Sequence, residues 1–207
     1  MRLSLFFLCL GLALVSLADR APAGVPSDPA AVTPVAVGAR APAFTAREVD
    51  NRRFRFDPDA LKKPTLLIFF RGGWCPYCNA HLQDLRLVEP QIVALGYQVL
   101  FLSTDQPKLL YASLKEPVNY HLLSDASLQA AEAFGVAWHV DADALAKLKS
   151  YGIDLDATQG SAKHELPVPA VFIVDRGGVV RFRYFNPDFK VRLDAQSILA
   201  AARTAGG

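Results

Sequence analysis

The stretch from Thr65 to Cys78 constrains this chain most. Thr65-Leu66-Leu67-Ile68-Phe69-Phe70 is a continuous apolar run, followed by Arg71-Gly72-Gly73-Trp74-Cys75-Pro76-Tyr77-Cys78. Next comes a helical repeat with Leu82, Leu85, Val88, Ile92 and Leu95 on one face, closed by Gly96. Such a run, between Pro64 and the glycine turn, suits a central strand buried on both sides, whereas the three-to-four spacing after Cys78 suits an amphipathic helix. Pro90 should kink that helix, because its ring meets the preceding turn and it has no N–H to donate. Two cysteines three residues apart are thus expected where a buried strand turns into a helix.

The same alternation continues along the chain. The pattern predicts strands at Arg53 to Phe56, Gln98 to Ser103 and His121 to Leu123, and helices at Lys108 to Leu114 and Leu128 to Phe134. Ala170 to Asp175 and Val179 to Phe185 flank Arg176-Gly177-Gly178, a hairpin signal, and a last helix runs from Asp194 to Arg203. This order predicts an α/β protein: a central mixed β-sheet flanked by helices on both faces. His139 to Glu165 reads as an insertion holding one helix, Ala142 to Ser150, and a loop after it. No internal repeat is evident. At 52% hydrophobic and a net charge of +2, the 207-residue chain can bury one sizeable core and offers no basic face for nucleic acid.

The N-terminus reads differently. Arg2 precedes an uncharged run from Leu3 to Leu17, and Ser16-Leu17-Ala18 provides small residues for cleavage before Asp19. That is the form of a secretory signal peptide, residues 1–18; the rival is an uncleaved membrane anchor, for which the run is short. The expected location is secreted or periplasmic. Cys9 would leave with the signal, so that Cys75 and Cys78 remain in a compartment that permits disulfides. Prolines at 22, 26, 29, 34 and 42 predict an extended, solvated tether over 19–36, with the folded domain occupying 37–207.

A helix N-terminus carries unpaired N–H groups and about half a positive charge, which favours thiolate over thiol. Cys75 is expected at the cap and more exposed, with Cys78 one turn on and more shielded; Pro76 suits the first helical turn. This arrangement fits thiol–disulfide exchange. A structural disulfide closing so small a loop would restrain the unfolded chain weakly, and a zinc site of Cys75, Cys78 and His81 lacks a fourth ligand. No metal and no cofactor beyond the redox-active cysteine pair are therefore expected.

Trp74-Cys75-Pro76-Tyr77-Cys78 at a strand-to-helix junction resembles the thioredoxin superfamily, with a glutaredoxin-like Cys-Pro-Tyr-Cys. Phe70 to Asn79, Leu166-Pro167-Val168-Pro169 and the strand Val171 to Asp175 resemble the peroxiredoxin-like branch of the alkyl hydroperoxide reductase/thiol-specific antioxidant family, over about Val37 to Ala202. The resemblance implies a thioredoxin-like fold and a cis peptide at Val168-Pro169, leaving the backbone of Val168 free to pair with an extended substrate; the alternative is a proline that simply starts a strand. It implies that Trp74, Val168 and Pro169 position the substrate. Two departures matter. Overlaid on the peroxiredoxin pattern Pro-x-x-x-Thr/Ser-x-x-Cys with Cys78 as the peroxidatic residue, the proline becomes Arg71, the Thr/Ser becomes Cys75, and the family arginine falls at Pro169. The thioredoxin aspartate, six residues before Cys75, is Phe69. Arg71 and His81 are candidate thiolate stabilisers, or else a surface arginine and an exposed helical histidine. Asp84 and Glu89 read as the helix's solvated face.

Three functions follow as expectations. One is thiol–disulfide exchange in which Cys75 attacks and Cys78 resolves. Another is peroxide reduction with Cys78 peroxidatic and Cys75 resolving. The last is a non-catalytic binding module with a static bridge. The first two need a disulfide or peroxide substrate and a thiol reductant for recycling.

Overall fold

The computed structural model describes residues 24–113 and 119–205, the side chains of 111–113 apart. The expected signal peptide and Cys9 lie outside the described residues, and among the latter no helix is long and apolar enough to cross a membrane. Among the described residues nine strands form, β1 (Phe44–Glu48), β2 (Arg53–Phe56), β3 (Thr65–Phe70), β4 (Gln98–Ser103), β5 (His121–Ser124), β6 (Ala137–His139), β7 (Glu165–Pro167), β8 (Ala170–Val174) and β9 (Val180–Phe185). The helices are α1 (Pro76–Arg86), α2 (Glu89–Ala94), α3 (Pro107–Ser113), α4 (Gln129–Ala133), α5 (Ala142–Ser150), α6 (Leu155–Gln159) and α7 (Ala195–Ala205).

Seven strands make one mixed sheet in the order β2-β1-β5-β4-β3-β8-β9. The β3–β4 and β4–β5 pairs are parallel; all others in the sheet are antiparallel. The central strand β3 is buried along its whole length. Its alternate side chains serve two cores. Leu67 and Phe69 pack with Phe44, Phe56, Phe134 and Phe172 on one face, and Leu66, Ile68 and Phe70 pack with Leu85, Ile92, Phe101 and Ile198 on the other. Helices α1, α2 and α7 cover the second face, where the Tyr97 hydroxyl donates to the Ala202 carbonyl at 2.8 Å. The expected α/β fold is the observed one.

The register gathers one end of the sheet. Phe70 pairs with Ser103 of β4, Phe69 with Ala170 of β8, and Ala170 with Phe185 of β9. The segments leaving these strands, 71–75, 104–105 and 186–192, and the residue entering β8, Pro169, therefore meet at one edge.

Several local expectations change. The helix after Cys78 does not kink at Pro90 but breaks: α1 ends at Arg86, and Pro90 sits in the first turn of α2, where a missing N–H is harmless. Glu89, expected to be solvated, is buried, and burial raises its pKa. The insertion is tied off by an antiparallel β6–β7 pair and contains α6 where only a loop was expected. It has a small core of its own in Val140, Leu148, Leu155 and Leu166.

Residues 24–36, expected as a solvated tether, lie against the body. Asp28 caps a 3-10 turn at Pro29–Ala31, and Val25 and Val35 pack on the core. The Val35 N–H donates to the Phe134 carbonyl at 3.1 Å, and the Arg183 guanidinium donates to the Pro34 carbonyl at 2.6 Å. Proline spacing excludes helix but does not exclude docking, since PPII-like backbone leaves its carbonyls free to accept from elsewhere.

Candidate active site

Cys75 is the N-cap of α1, in extended conformation (φ −91°, ψ 113°), and Pro76 follows as the first helical residue. Its carbonyl accepts from the N–H groups of Cys78 (3.0 Å) and Asn79 (3.1 Å). The turn before it is braced from three sides. The Cys75 N–H donates to the Gly72 carbonyl at 3.1 Å, the Asn79 side chain donates to the Gly73 carbonyl at 2.9 Å, and the Gly73 N–H donates to Asp105 Oδ2 at 2.7 Å. Gly72 must be glycine, because a Cβ there would run into the Trp74 indole. The strand-turn-helix expected from sequence is thus present, locked by a carboxylate from the end of β4.

Both cysteines are free thiols and both are about 1% exposed, so Cys75 is not the more exposed of the two. What separates them is surroundings. Cys75 lines a cavity of about 430 Å³, whereas Cys78 is packed into the core beneath α1. The Cys75 thiol is lowered to about 6, first by a hydrogen bond from Cys78, then by the Cys78 backbone amide and the positive charges of Arg71 and Arg192, all against the opposing effect of burial. Burial pushes the Cys78 thiol far up, and the neighbouring Cys75 adds to the rise. One sulfur is an anion near neutral pH; its neighbour keeps a proton to share with it.

The structure brings only some of the expected site residues together. Arg71 is 8% exposed, not a surface residue, and its guanidinium lies 4.9 Å from the Trp74 ring centroid and 4.1 Å from that of Phe189. Trp74, half-buried, packs against the core of the insertion and lines the cavity. His81 is buried rather than exposed, and its Nε2–H donates to the Leu193 carbonyl at 2.9 Å. Burial lowers its pKa and Arg192 lowers it further, so it is neutral and supplies no positive charge to a thiolate.

Val168 and Pro169 are placed otherwise than expected. All peptide bonds among the described residues are trans, Val168-Pro169 included. The Val168 N–H is not free for a substrate, since it donates to the Val136 carbonyl at 2.8 Å, extending the β6–β7 pairing by one step. The Pro169 carbonyl accepts from the Asn186 N–H at 3.2 Å. The insertion's strand pair thus occupies the edge that an extended substrate would need, and Pro169 does what the alternative foresaw: it leads into β8.

Arg192, Asp105 and Phe189 were missed. Arg192 Nη2 donates to Cys78 Sγ at 3.2 Å, while its Nε and Nη1 are buried without a hydrogen-bond partner. Asp105 is buried at the mouth of β4, and burial raises its carboxyl, opposed chiefly by the Gly73 N–H. Nothing in the local sequence around 105, 189 or 192 points at cysteines far back in the chain; only the sheet's register does. Where the peroxiredoxin pattern has proline, Thr/Ser and arginine, this site has Arg71, Cys75 and Pro169, and its positive charge comes from Arg71 and Arg192 instead.

The cavity is mostly apolar. Trp138, Val140, Leu148, Tyr151, Ile153 and Leu166, from the insertion and the β6–β7 pair that closes it, form one wall, facing Cys75, Trp74 and Phe189, with Arg71 and Lys147 as the charged lining groups. Among the described residues no group of His, Cys, Asp or Glu is clustered to hold a metal ion.

The chain resembles known proteins both in sequence and in fold. The chain is 36% identical over 106 residues, 51% of its length and 68% of the relative's, to a Haemophilus influenzae protein described as a Bcp peroxiredoxin. It is 25% identical over 150 residues, 72% of its own length and 69% of the relative's, to the thiol-disulfide oxidoreductase ResA of Geobacillus thermodenitrificans. In fold it is similar to a peroxiredoxin-like protein from Aquifex aeolicus, with a TM-score of 0.65 at 19% identity, covering 84% of this chain and 89% of the other. The AhpC/TSA family profile matches residues 37–183. With that match over most of its length, this chain belongs to the AhpC/TSA family of thiol-dependent oxidoreductases.

Proposed function

We propose that the chain reduces hydroperoxides with Cys75 as the attacking thiolate and Cys78 as the resolving thiol. Family membership supports the peroxide. The assignment of roles, opposite to the overlay on the family pattern, is supported by one observation: Cys75, lowered to about 6, faces the cavity while Cys78 is sealed in the core with its pKa raised. The Cys75 thiolate attacks the outer peroxide oxygen; the O–O bond breaks, an alcohol or water leaves with a proton, and Cys75 becomes a sulfenic acid. Cys78 then attacks that sulfur, the S–O bond breaks, water leaves, and the disulfide forms. An external dithiol returns both electrons by exchange. Arg71 and Arg192 stabilise the starting thiolate, and the N–H groups at the start of α1 add to them. The basic, apolar N-terminus supports an extracytoplasmic location.

The test uses one equivalent of hydroperoxide on each single-cysteine variant. Cys78→Ser should consume it once and stop at a sulfenic acid that dimedone captures on Cys75, and Cys75→Ser should consume none at a comparable rate. Dimedone on Cys78 in Cys75→Ser, with peroxide consumed at the parent rate, restores the family assignment and overturns ours.

The Cys-Pro-Tyr-Cys motif and the likeness to ResA favour a second reading, thiol–disulfide exchange through the same Cys75 thiolate. Cys78→Ser would then accumulate mixed disulfides with a model disulfide faster than it consumes peroxide. A static bridge would give no turnover with either oxidant.

A further inference from the structure

The mechanism leaves one step without an agent. Cys78 must lose its proton before or as it attacks oxidised Cys75, yet it is buried and holds that proton firmly. We propose that Arg192 is a catalytic residue of the resolving step, activating Cys78 once Cys75 has been oxidised; this rests on the reading of Cys78 as the resolving thiol.

Arg192 lies just before α7, 114 residues along the chain from Cys78, and its Nη2 donates to Cys78 Sγ at 3.2 Å. Its guanidinium forms no ion pair with a carboxylate among the described residues, and Nε and Nη1 are buried with no acceptor. A buried guanidinium normally has a carboxylate to compensate its charge. Here the compensating group is sulfur. The charged and titratable groups about Cys78 are Cys75 and His81 on its own helix, Arg71 before that helix and Arg192 before α7. His81 is neutral, which leaves two guanidinium charges and one thiolate.

Before the reaction that thiolate is Cys75, and its charge and hydrogen bond both oppose ionisation of Cys78. Attack on the peroxide turns Cys75 into a neutral sulfenic acid and removes the charge. The two arginines are then without an anion, and the sulfur already touching Arg192 is the nearest group that can become one. The proton leaves Cys78 for the departing oxygen, the S–O bond of Cys75 breaks as S–S forms, and the oxygen leaves as water. Arg192 thus favours a thiolate at Cys75 first and at Cys78 second, so the order of events is set by which sulfur has been oxidised.

Two measurements test this. Cys78 has its pH-dependent alkylation rate measured in Cys75→Ser and in Cys75→Ser/Arg192→Met, with no peroxide present. The second variant should need a higher pH for the same rate, and Arg192→Lys should recover part of the difference. In the otherwise intact protein, Arg192→Met should slow disulfide formation after one peroxide equivalent by about tenfold to a hundredfold, the loss of one charge-assisted hydrogen bond. The first attack should slow less. The longer-lived sulfenic acid should then react with excess peroxide, and sulfinic acid on Cys75 should rise in Arg192→Met but not in Arg192→Lys. Equal alkylation profiles with and without Arg192, or an unchanged resolving rate, would overturn the inference. A parent protein that forms dimedone-reactive Cys78 instead fails the functional reading, and the two failures are told apart by the unmutated protein.

Discussion

The Gly73 amide donates to the buried carboxylate of Asp105 at 2.7 Å, joining the turn before Cys75 to the end of the neighbouring strand. Gly73 has no side chain with which to hold itself in place, so the position of the attacking sulfur depends on an acid 32 residues further on. Asp105→Ala should therefore act on rate and on stability together. Loss of a buried acceptor facing an N–H costs about 1–3 kcal/mol. Urea unfolding should show that loss, and single-turnover peroxide consumption should fall about tenfold or more as the sulfur moves off line. Asp105→Asn, which keeps an acceptor, should recover most of the rate.

Cys75 should give a rate that rises with pH through about 6 and levels above 7, because its thiolate is the reacting form. Arg71→Met removes one of the positive charges that lower it. The midpoint should move up, and at pH 6 the rate should drop by about threefold to tenfold. Iodoacetamide alkylation of Cys78→Ser as a function of pH reads the Cys75 midpoint without any peroxide.

Arg71 and Arg192 should also make the reduced protein the more stable form. With the Cys75 thiolate in place the two guanidinium groups have an anion beside them, and disulfide formation takes it away. Reduced protein should unfold at higher urea concentration than oxidised protein at pH 7.5, and the gap should shrink in Arg71→Met. The corresponding reduction potential should be that of an oxidising pair, readable by equilibration with glutathione. A disulfide form more stable than the dithiol would contradict this charge argument.

Asp125 gives a pH dependence unconnected with catalysis. It accepts from the N–H groups of Ala130 (3.0 Å) and Ala131 (2.8 Å) at the start of α4, and burial raises its pKa to about 7. A carboxyl raised in the folded state binds its proton there while the unfolded chain has released it. Stability should thus be greatest below the unfolded value of 3.8, fall as pH rises towards about 7, and stay level above it. Asp125→Asn should start lower in acid and decline less between pH 5 and pH 8 in urea unfolding.

Gly135 should report on the docked N-terminal segment. It has a φ of +68°, and a Cβ there would collide with the Thr33 carbonyl oxygen. Gly135→Ala should destabilise the fold by about 1–2 kcal/mol from the left-handed backbone alone, and the collision adds to this. Proteolysis within 24–36 should accelerate as that segment lifts away.

Much of this molecule is legible in the amino-acid order because the signals are local. The apolar run Thr65–Phe70, the glycine turn and the helical spacing after Cys78 define β3, the cap and α1, and they place Cys75 at the N-cap. Arg176-Gly177-Gly178 likewise marks the β8–β9 hairpin. Strand β1 was missed: Phe44-Thr45-Ala46-Arg47-Glu48 has weak alternation, and its strand character comes from pairing with β2 and β5.

That two cysteines share the start of one helix is settled within a dozen residues by backbone geometry and residue spacing. Which sulfur becomes the anion depends instead on long-range packing. Burial and the charges of Arg71 and Arg192 depend on chains that meet through sheet register and the placement of α7. The same long-range packing turned His81 inward, took the Val168 N–H for Val136, and set the insertion over Cys75. Electrostatic energy depends on distance and dielectric in space, and neither is written in the separation between residues along a chain.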